Sequence, residues 1–145
     1  IDSTKLMNLI LDLDGTLIDD YYDDANNLCI RPRPHLTEFL IFAFDHFDSV
    51  SIWTNGSLEW YRYVYKQELY KHIPFIYCFN MVITFDDGLV MCKESSPKSL
   101  RKIYKIYPEF NKNNTILVDD SPHTMRADLD NELILLIDKL KLRLK

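Results

Sequence analysis

The run Leu9-Ile10-Leu11-Asp12-Leu13-Asp14-Gly15-Thr16-Leu17 places two carboxylates one residue apart, at the end of an apolar stretch and directly before a glycine turn. Residues 7–13 predict a buried strand. Successive strand side chains alternate between faces, so Asp12 and Asp14 share a face if extended geometry persists to the end of the run. Two adjacent anions repel, which raises the proton affinity of one of them unless a cation intervenes. A hard divalent ion, Mg²⁺ above all, suits oxygen donors of this kind. The arrangement fits an aspartate nucleophile. Asp-Gly between apolar residues is equally a hairpin signal, in which case the pair would be turn residues only.

Outward from this run, apolar segments and helical patterns alternate. Residues 19–31 read as a polar, tyrosine-bearing loop without a clear period, and its acidic residues Asp19, Asp20, Asp23 and Asp24 lack the glycine and terminal glutamate of a calcium loop. After Arg31-Pro32-Arg33-Pro34, the spacing of Leu36, Phe39, Leu40, Ala43, Phe44 and Phe47 predicts a helix. Ser49 to Trp53 predicts a short strand ending at Thr54-Asn55-Gly56, and Ser57 is placed to cap a helix carrying Trp60, Tyr61, Val64, Tyr65 and Leu69. Residues 76–92 are strand-like on either side of an Asp86-Asp87-Gly88 turn. Lys98 to Tyr107 is helical, Thr115 to Val118 is a strand ending at Asp119-Asp120-Ser121-Pro122, and Glu132 to Lys145 is a helix or a strand followed by a helix. Strands alternating with helices imply right-handed crossovers, and hence an α/β fold with a mostly parallel, three-layer, Rossmann-like sheet and helices on both faces. In such sheets ligands bind beyond the carboxyl ends of the strands. Asp12 and Asp14, Thr54 and Asn55, and Asp119 and Asp120 each follow a different predicted strand, so the topology would deliver all three groups to one edge.

The 145 residues suit a single domain, 1–145, with 47% apolar and 27% charged residues. No uncharged stretch is long enough to span a bilayer, so no membrane partner is expected. A net charge of −5 argues against nucleic-acid binding by general electrostatic attraction. Cys29, Cys78 and Cys92 form neither an even disulfide set nor a closely spaced zinc site, and no basic-then-apolar leader pattern is seen; reduced thiols in a cytoplasmic or nuclear monomer are expected.

Taken together, the motifs Leu11-Asp12-Leu13-Asp14-Gly15-Thr16-Leu17, Arg33-Pro34-His35-Leu36-Thr37-Glu38-Phe39-Leu40, Trp53-Thr54-Asn55-Gly56-Ser57 and Leu117-Val118-Asp119-Asp120-Ser121-Pro122 resemble those of the haloacid dehalogenase superfamily. They are most similar to the branch of RNA polymerase II carboxy-terminal-domain phosphatases and their small, NLI-interacting-factor-like relatives. The resemblance spans most of residues 9–122. It implies a minimal haloacid dehalogenase fold without a large cap, and Mg²⁺-dependent phosphomonoester hydrolysis through an aspartyl-phosphate. By that resemblance Asp12 attacks phosphorus, Asp14 moves protons, Thr54 and Asn55 meet the phosphoryl oxygens, and Lys98 stabilises the transferring charge. Asp12, Asp14, Asp119 and Asp120 would serve the metal. Lys98 is preferred to Lys93 because it opens a helical run, and Arg33 is a candidate phosphate ligand beside a structural reading of the Arg-Pro loop. His35 and His123 lack metal-ligand spacing.

The implied substrate is a phosphoserine or phosphothreonine protein or peptide; a small-molecule or nucleotide phosphatase and a non-catalytic phosphopeptide-binding module are the alternatives. A phosphorylated receiver module also pairs Asp, Thr and Lys, but its lysine comes last, whereas Lys98 precedes Asp119 here. The chain departs from the branch in three ways. The Thr16–Arg31 segment is shorter than the branch's β-ribbon insertion, Gly15 stands where Glu is frequent, and Asp120 stands where small members often have Asn.

Overall fold

The computed structural model describes residues 7–88, 99–119 and 132–144, and the account below concerns these. Strand β1 (Asn8–Leu11) lies at the centre of a parallel sheet. It pairs with β4 (Ser49–Trp53) on one side and β6 (Thr115–Val118) on the other, and the two-residue β5 (Val82–Ile83) extends the β4 edge. The order is therefore β5-β4-β1-β6. A strand covered on both faces has no room for alternation with polar residues, and Leu9, Ile10 and Leu11 are all fully buried.

Alternation appears instead in what each side chain packs against. Leu9, Leu11 and Leu13 join Val50, Ile52, Ile116 and Val118 in a core capped by Phe39, Leu40 and Ala43 of α1 (Leu36–His46), and by Leu133, Ile137 and Leu140 of α4 (Glu132–Arg143). Val64 of α2 (Leu58–Gln67) completes that layer. Ile10, Trp53 and Ile83 point the other way and meet Ile103 of α3 (Leu100–Ile106) together with Phe110. The result is the three-layer α/β arrangement expected from the alternation of elements. Because β4 and β6 flank β1, successive crossovers run in opposite directions from the central strand, and the switch point opens at the carboxyl end of β1.

Residues 19–31 differ from the expected loop. They form an antiparallel ribbon of β2 (Ile18–Tyr22) and β3 (Leu28–Pro32), inserted between β1 and α1. Its residues beyond Ile18 are mostly exposed or half-buried, so no apolar period is required of them and none is visible in the sequence. Cross-strand contacts hold it instead. Arg31 pairs with Asp19 at 3.0 Å and lies 4.7 Å over the Tyr21 ring. At the tip, the Asp23 carboxylate accepts backbone N–H bonds from Ala25 at 2.9 Å and Asn27 at 2.8 Å, while Asn26 takes the left-handed conformation. The hairpin reading of Asp14-Gly15 is excluded because β1 pairs only with parallel neighbours.

The strand-like reading of 76–92 also contracts. Among the described residues of this segment, 76–88, only Val82 and Ile83 are in strand, and Phe85–Asp87 form a single 3₁₀ turn closed by Gly88 at φ 72°; residues 89–92 lie outside the described residues. The Asp86-Asp87 pair is a capping device. Asp86 Oδ2 accepts the Leu58 N–H at 2.7 Å at the start of α2, and Asp87 Oδ2 accepts the Thr84 N–H at 2.7 Å. Glu132 onward is one helix, resolving the helix-or-strand alternative. Lys93, Cys92, Lys98, Asp120 and His123 lie outside the described residues. Cys29 and Cys78 are free thiols, and no described helix is long and apolar enough to cross a membrane.

Candidate active site

Asp12, Thr54 and Asp119 each follow a strand of the sheet, and the parallel register brings Asp12 level with Asp119 and one residue short of Thr54 at its carboxyl edge. Leu11 is paired with both Ile52 and Val118, so the next residue of β1 stands beside the ends of both neighbours. The ladder continues one step further, since the Asp12 N–H donates to the Val118 carbonyl at 2.9 Å and the Thr54 N–H to the Ile83 carbonyl at 2.9 Å. Backbone hydrogen bonding thereby fixes the roots of these side chains.

The Asp12 side chain is only 6% exposed, and its Oδ2 accepts the Thr16 hydroxyl at 3.3 Å. Strand β1 ends at Leu11, two residues before the expected end at Leu13. The chain then turns through Gly15 at φ 79°, a conformation that glycine adopts without strain, and Gly15 N–H closes the turn on the Ile18 carbonyl at 2.8 Å. Asp14 sits in this turn and reaches across to Thr54 and Trp60. Its Oδ2 lies 3.4 Å from the Thr54 hydroxyl, and its Oδ1 accepts the Trp60 indole N–H at 2.8 Å. Asp12 thus accepts a hydroxyl from its own loop, and Asp14, two positions on, accepts an indole from α2.

Thr54, 1% exposed, is itself pinned by the Gly56 N–H, which donates to its Oγ1 at 3.0 Å. Gly56 is required by space, because a Cβ there would lie 2.8 Å from Trp60 Cδ1 and 3.3 Å from Thr54 Oγ1. Asn55 brings a buried Oδ1 that has no hydrogen-bond partner among the described residues. Arg33 donates to the Gly15 carbonyl at 2.7 Å, bracing the turn that carries Asp14.

The contacts of Trp60 and Thr16 with the two carboxylates have no signal in the sequence, where Asp14 lies 46 residues away from Trp60. Ser57, the predicted N-cap, is what aims it: Ser57 Oγ accepts the Trp60 backbone N–H at 3.0 Å. Beside it opens a cleft of about 420 Å³ between Leu28 of the ribbon and Ser57, Glu59, Trp60 and Tyr63 of α2. Trp60 thus has an edge on the carboxylate and a place in the cleft wall. Among the described residues no three His, Cys, Asp or Glu side chains cluster to hold a metal ion.

Comparison with known proteins agrees with this geometry. Residues 7–138 match the profile of NLI interacting factor-like phosphatases. A ubiquitin-like domain-containing CTD phosphatase of Arabidopsis thaliana is 33% identical over 121 residues, covering 77% of this chain and 34% of the relative. Its Xenopus tropicalis counterpart is 36% identical over 121 residues, 77% of this chain and 36% of the relative. A CTD phosphatase-like protein of Invertebrate iridescent virus 6 is 29% identical over 153 residues, covering 87% of this chain and 82% of the viral protein. The chain thus spans about a third of the ubiquitin-like-domain relatives and most of the viral one. In fold, it is similar to the fission yeast RNA polymerase II CTD phosphatase Fcp1, in a variant bound to beryllium fluoride, at TM-score 0.52 and 20% identity over 80% of this chain and 37% of that one. It is also similar, at TM-score 0.50 and 20% identity over 93% of this chain and 77% of the other, to a core domain from Streptococcus pneumoniae described as a phosphoglycolate phosphatase. By this match and the strand-end arrangement of its aspartates, the chain belongs to the NLI interacting factor-like phosphatase family, a haloacid dehalogenase-type phosphatase branch.

Proposed function

We propose that the chain hydrolyses phosphomonoesters through Asp12 and that its substrate is a phosphorylated serine or threonine in a protein. The observation that carries the reading is the placement of a nearly buried Asp12 at the switch point of the sheet, with Asp14 reaching the Thr54 hydroxyl.

An Asp12 carboxylate oxygen attacks phosphorus in line, and the bond to the ester oxygen breaks with its electron pair going to that oxygen. Asp14 supplies the proton the leaving oxygen needs, releasing the alcohol and leaving a phosphorylated Asp12. Water then attacks phosphorus and gives a proton back to Asp14, while the acyl-phosphate bond breaks toward Asp12. Inorganic phosphate departs and both carboxyl groups regain their starting states. The Thr54 hydroxyl, which contacts Asp14, and the backbone beside it would meet the phosphoryl oxygens, with Asn55 adjoining. Lys98, expected to face the same oxygens, lies outside the described residues.

The donor set suits Mg²⁺. This ion takes one or two carboxylates and completes its shell with water and substrate phosphate, so it needs no all-protein cage. Asp12 and the Asp14 carbonyl would hold it, with Asp119 at the neighbouring strand end and Asp120, which lies outside the described residues, expected to contribute; when bound it would neutralise charge on the phosphoryl group. The cleft between Leu28 and α2 adjoins Asp14 through Trp60 and is open, which favours an extended polypeptide over a small metabolite.

The test is hydrolysis of an aryl phosphate with and without Mg²⁺ by the parent and by Asp12→Asn. The parent is expected to turn over only with the metal, and the variant to lose about 10³-fold or more in kcat. Equal rates in the two proteins would refute the nucleophile. A panel of phosphopeptides, nucleotides and sugar phosphates then addresses substrate, with peptides expected to show the highest kcat/KM.

A further inference from the structure

Resting on that reading, we infer that Trp60 is a positioning residue that fixes the orientation of the Asp14 carboxyl group toward the reacting ester. The indole N–H can only donate, and it lies 2.8 Å from Asp14 Oδ1. The bond holds Oδ1 against α2, and Oδ2 accepts from the Thr54 hydroxyl at 3.4 Å, so the plane of the carboxyl group is set by the indole together with Thr54. Without the indole the carboxyl group gains a rotation, so it is presented in the productive direction for less of the time.

Trp60 is well built for such a task. Its backbone is held by the Ser57 cap at 3.0 Å, its ring stacks on Tyr63 with centroids 5.9 Å apart, and its Cδ1 edge leaves no room for a side chain at position 56. A donor held on three sides loses little entropy in making its bond, which is the condition for orienting a catalytic group. None of this requires the indole to touch substrate.

The experiment uses Trp60→Phe, which keeps an aromatic ring and removes the donor, and two esters of different leaving ability. 2,4-Dinitrophenolate departs without a proton, whereas phenolate benefits from one. The ratio of kcat/KM for phenyl phosphate to that for 2,4-dinitrophenyl phosphate is expected to fall about 10- to 100-fold in the variant, the scale of lost general acid catalysis. An equal loss on both esters would assign Trp60 a purely structural role and overturn the inference. A second measurement needs no turnover. The chain has 2 tryptophans, so its ¹H–¹⁵N spectrum carries two indole signals, and Trp60→Phe identifies one of them. Asp14→Asn should move the Trp60 signal much further than that of Trp53, and an unmoved signal would overturn the hydrogen bond itself. A parent protein inactive on both esters would refute the phosphatase reading, while the indole signal would still decide whether Trp60 holds Asp14.

Discussion

Replacing Ser57 by alanine tests whether the cap of α2 sustains the geometry described above. Ser57 is extended at φ −76° and ψ 164°, and its Oγ takes up the Trp60 N–H at 3.0 Å, one of the donors with no partner inside the helix. A second such donor, on Leu58, is taken by Asp86, which would remain in the variant. The helix has 10 residues, and among them only Val64 is fully buried. So short a helix is marginal by itself and draws little from packing, which leaves the caps with a larger share of its stability than is usual. Loss of a serine N-cap to alanine costs about 1 kcal/mol, whereas glycine at the same place costs only about a few tenths. With a urea m value of about 2 kcal/mol/M, the midpoint should fall by roughly 0.5 M for alanine with m unchanged. The melting temperature should drop by about 2–4 °C. Urea unfolding followed by circular dichroism should rank the variants Ser, then Gly, then Ala, with Ser57→Asp restoring the parent midpoint. An alanine variant as stable as the parent, or a glycine variant less stable than alanine, would refute the capping argument.

Two further outcomes are expected. Trp53 is fully buried, and its indole N–H has no partner among the described residues, so Trp53→Phe trades lost packing against relief of an unmet donor. It should cost no more than about 1 kcal/mol, against about 3–5 kcal/mol for Trp53→Ala, both read by denaturant unfolding. At the ribbon tip, the Asn27 backbone N–H foremost, assisted by bonds from the Asn27 side chain, Ala25 and Cys29, holds the Asp23 carboxyl below its ordinary value of 3.8. A depressed value means that the charged tip favours the folded state above pH 3.8, and that this contribution is lost as pH falls through the folded value. Amide exchange at Ala25 and Asn27 should therefore quicken, beyond the intrinsic pH trend, only on strong acidification, and in Asp23→Ala it should be quick throughout. Unaltered protection in Asp23→Ala would remove the carboxylate from the account of the turn.

The ribbon and the aspartate pairs show where sequence patterning stops being informative. Periodicity records burial, so the central strand, α1 and the cap at Ser57 were all readable, while β2 and β3, mostly outside the core, left no period to find. Asp86-Asp87 and Asp12-Leu13-Asp14 are both acidic residues next to glycine, and the sequence already reads the former as a turn and the latter as a strand end. The structure adds their partners: the former meets helix and turn N–H groups, and the latter stands at the end of the central strand.

By itself, the sequence determined the alternation of strands and helices, the family, and the delivery of Asp12, Thr54 and Asp119 to strand ends, because these follow from local pattern and chain order. Tertiary structure alone decided the partners of Asp14. A turn through Gly15 and a capped helix 46 residues away bring the Thr54 hydroxyl and the Trp60 indole to its two oxygens. Hydrogen-bond partners so far apart in the chain leave no trace in spacing or hydropathy, since what selects them is the packing of α2 against the sheet rather than any neighbouring residue.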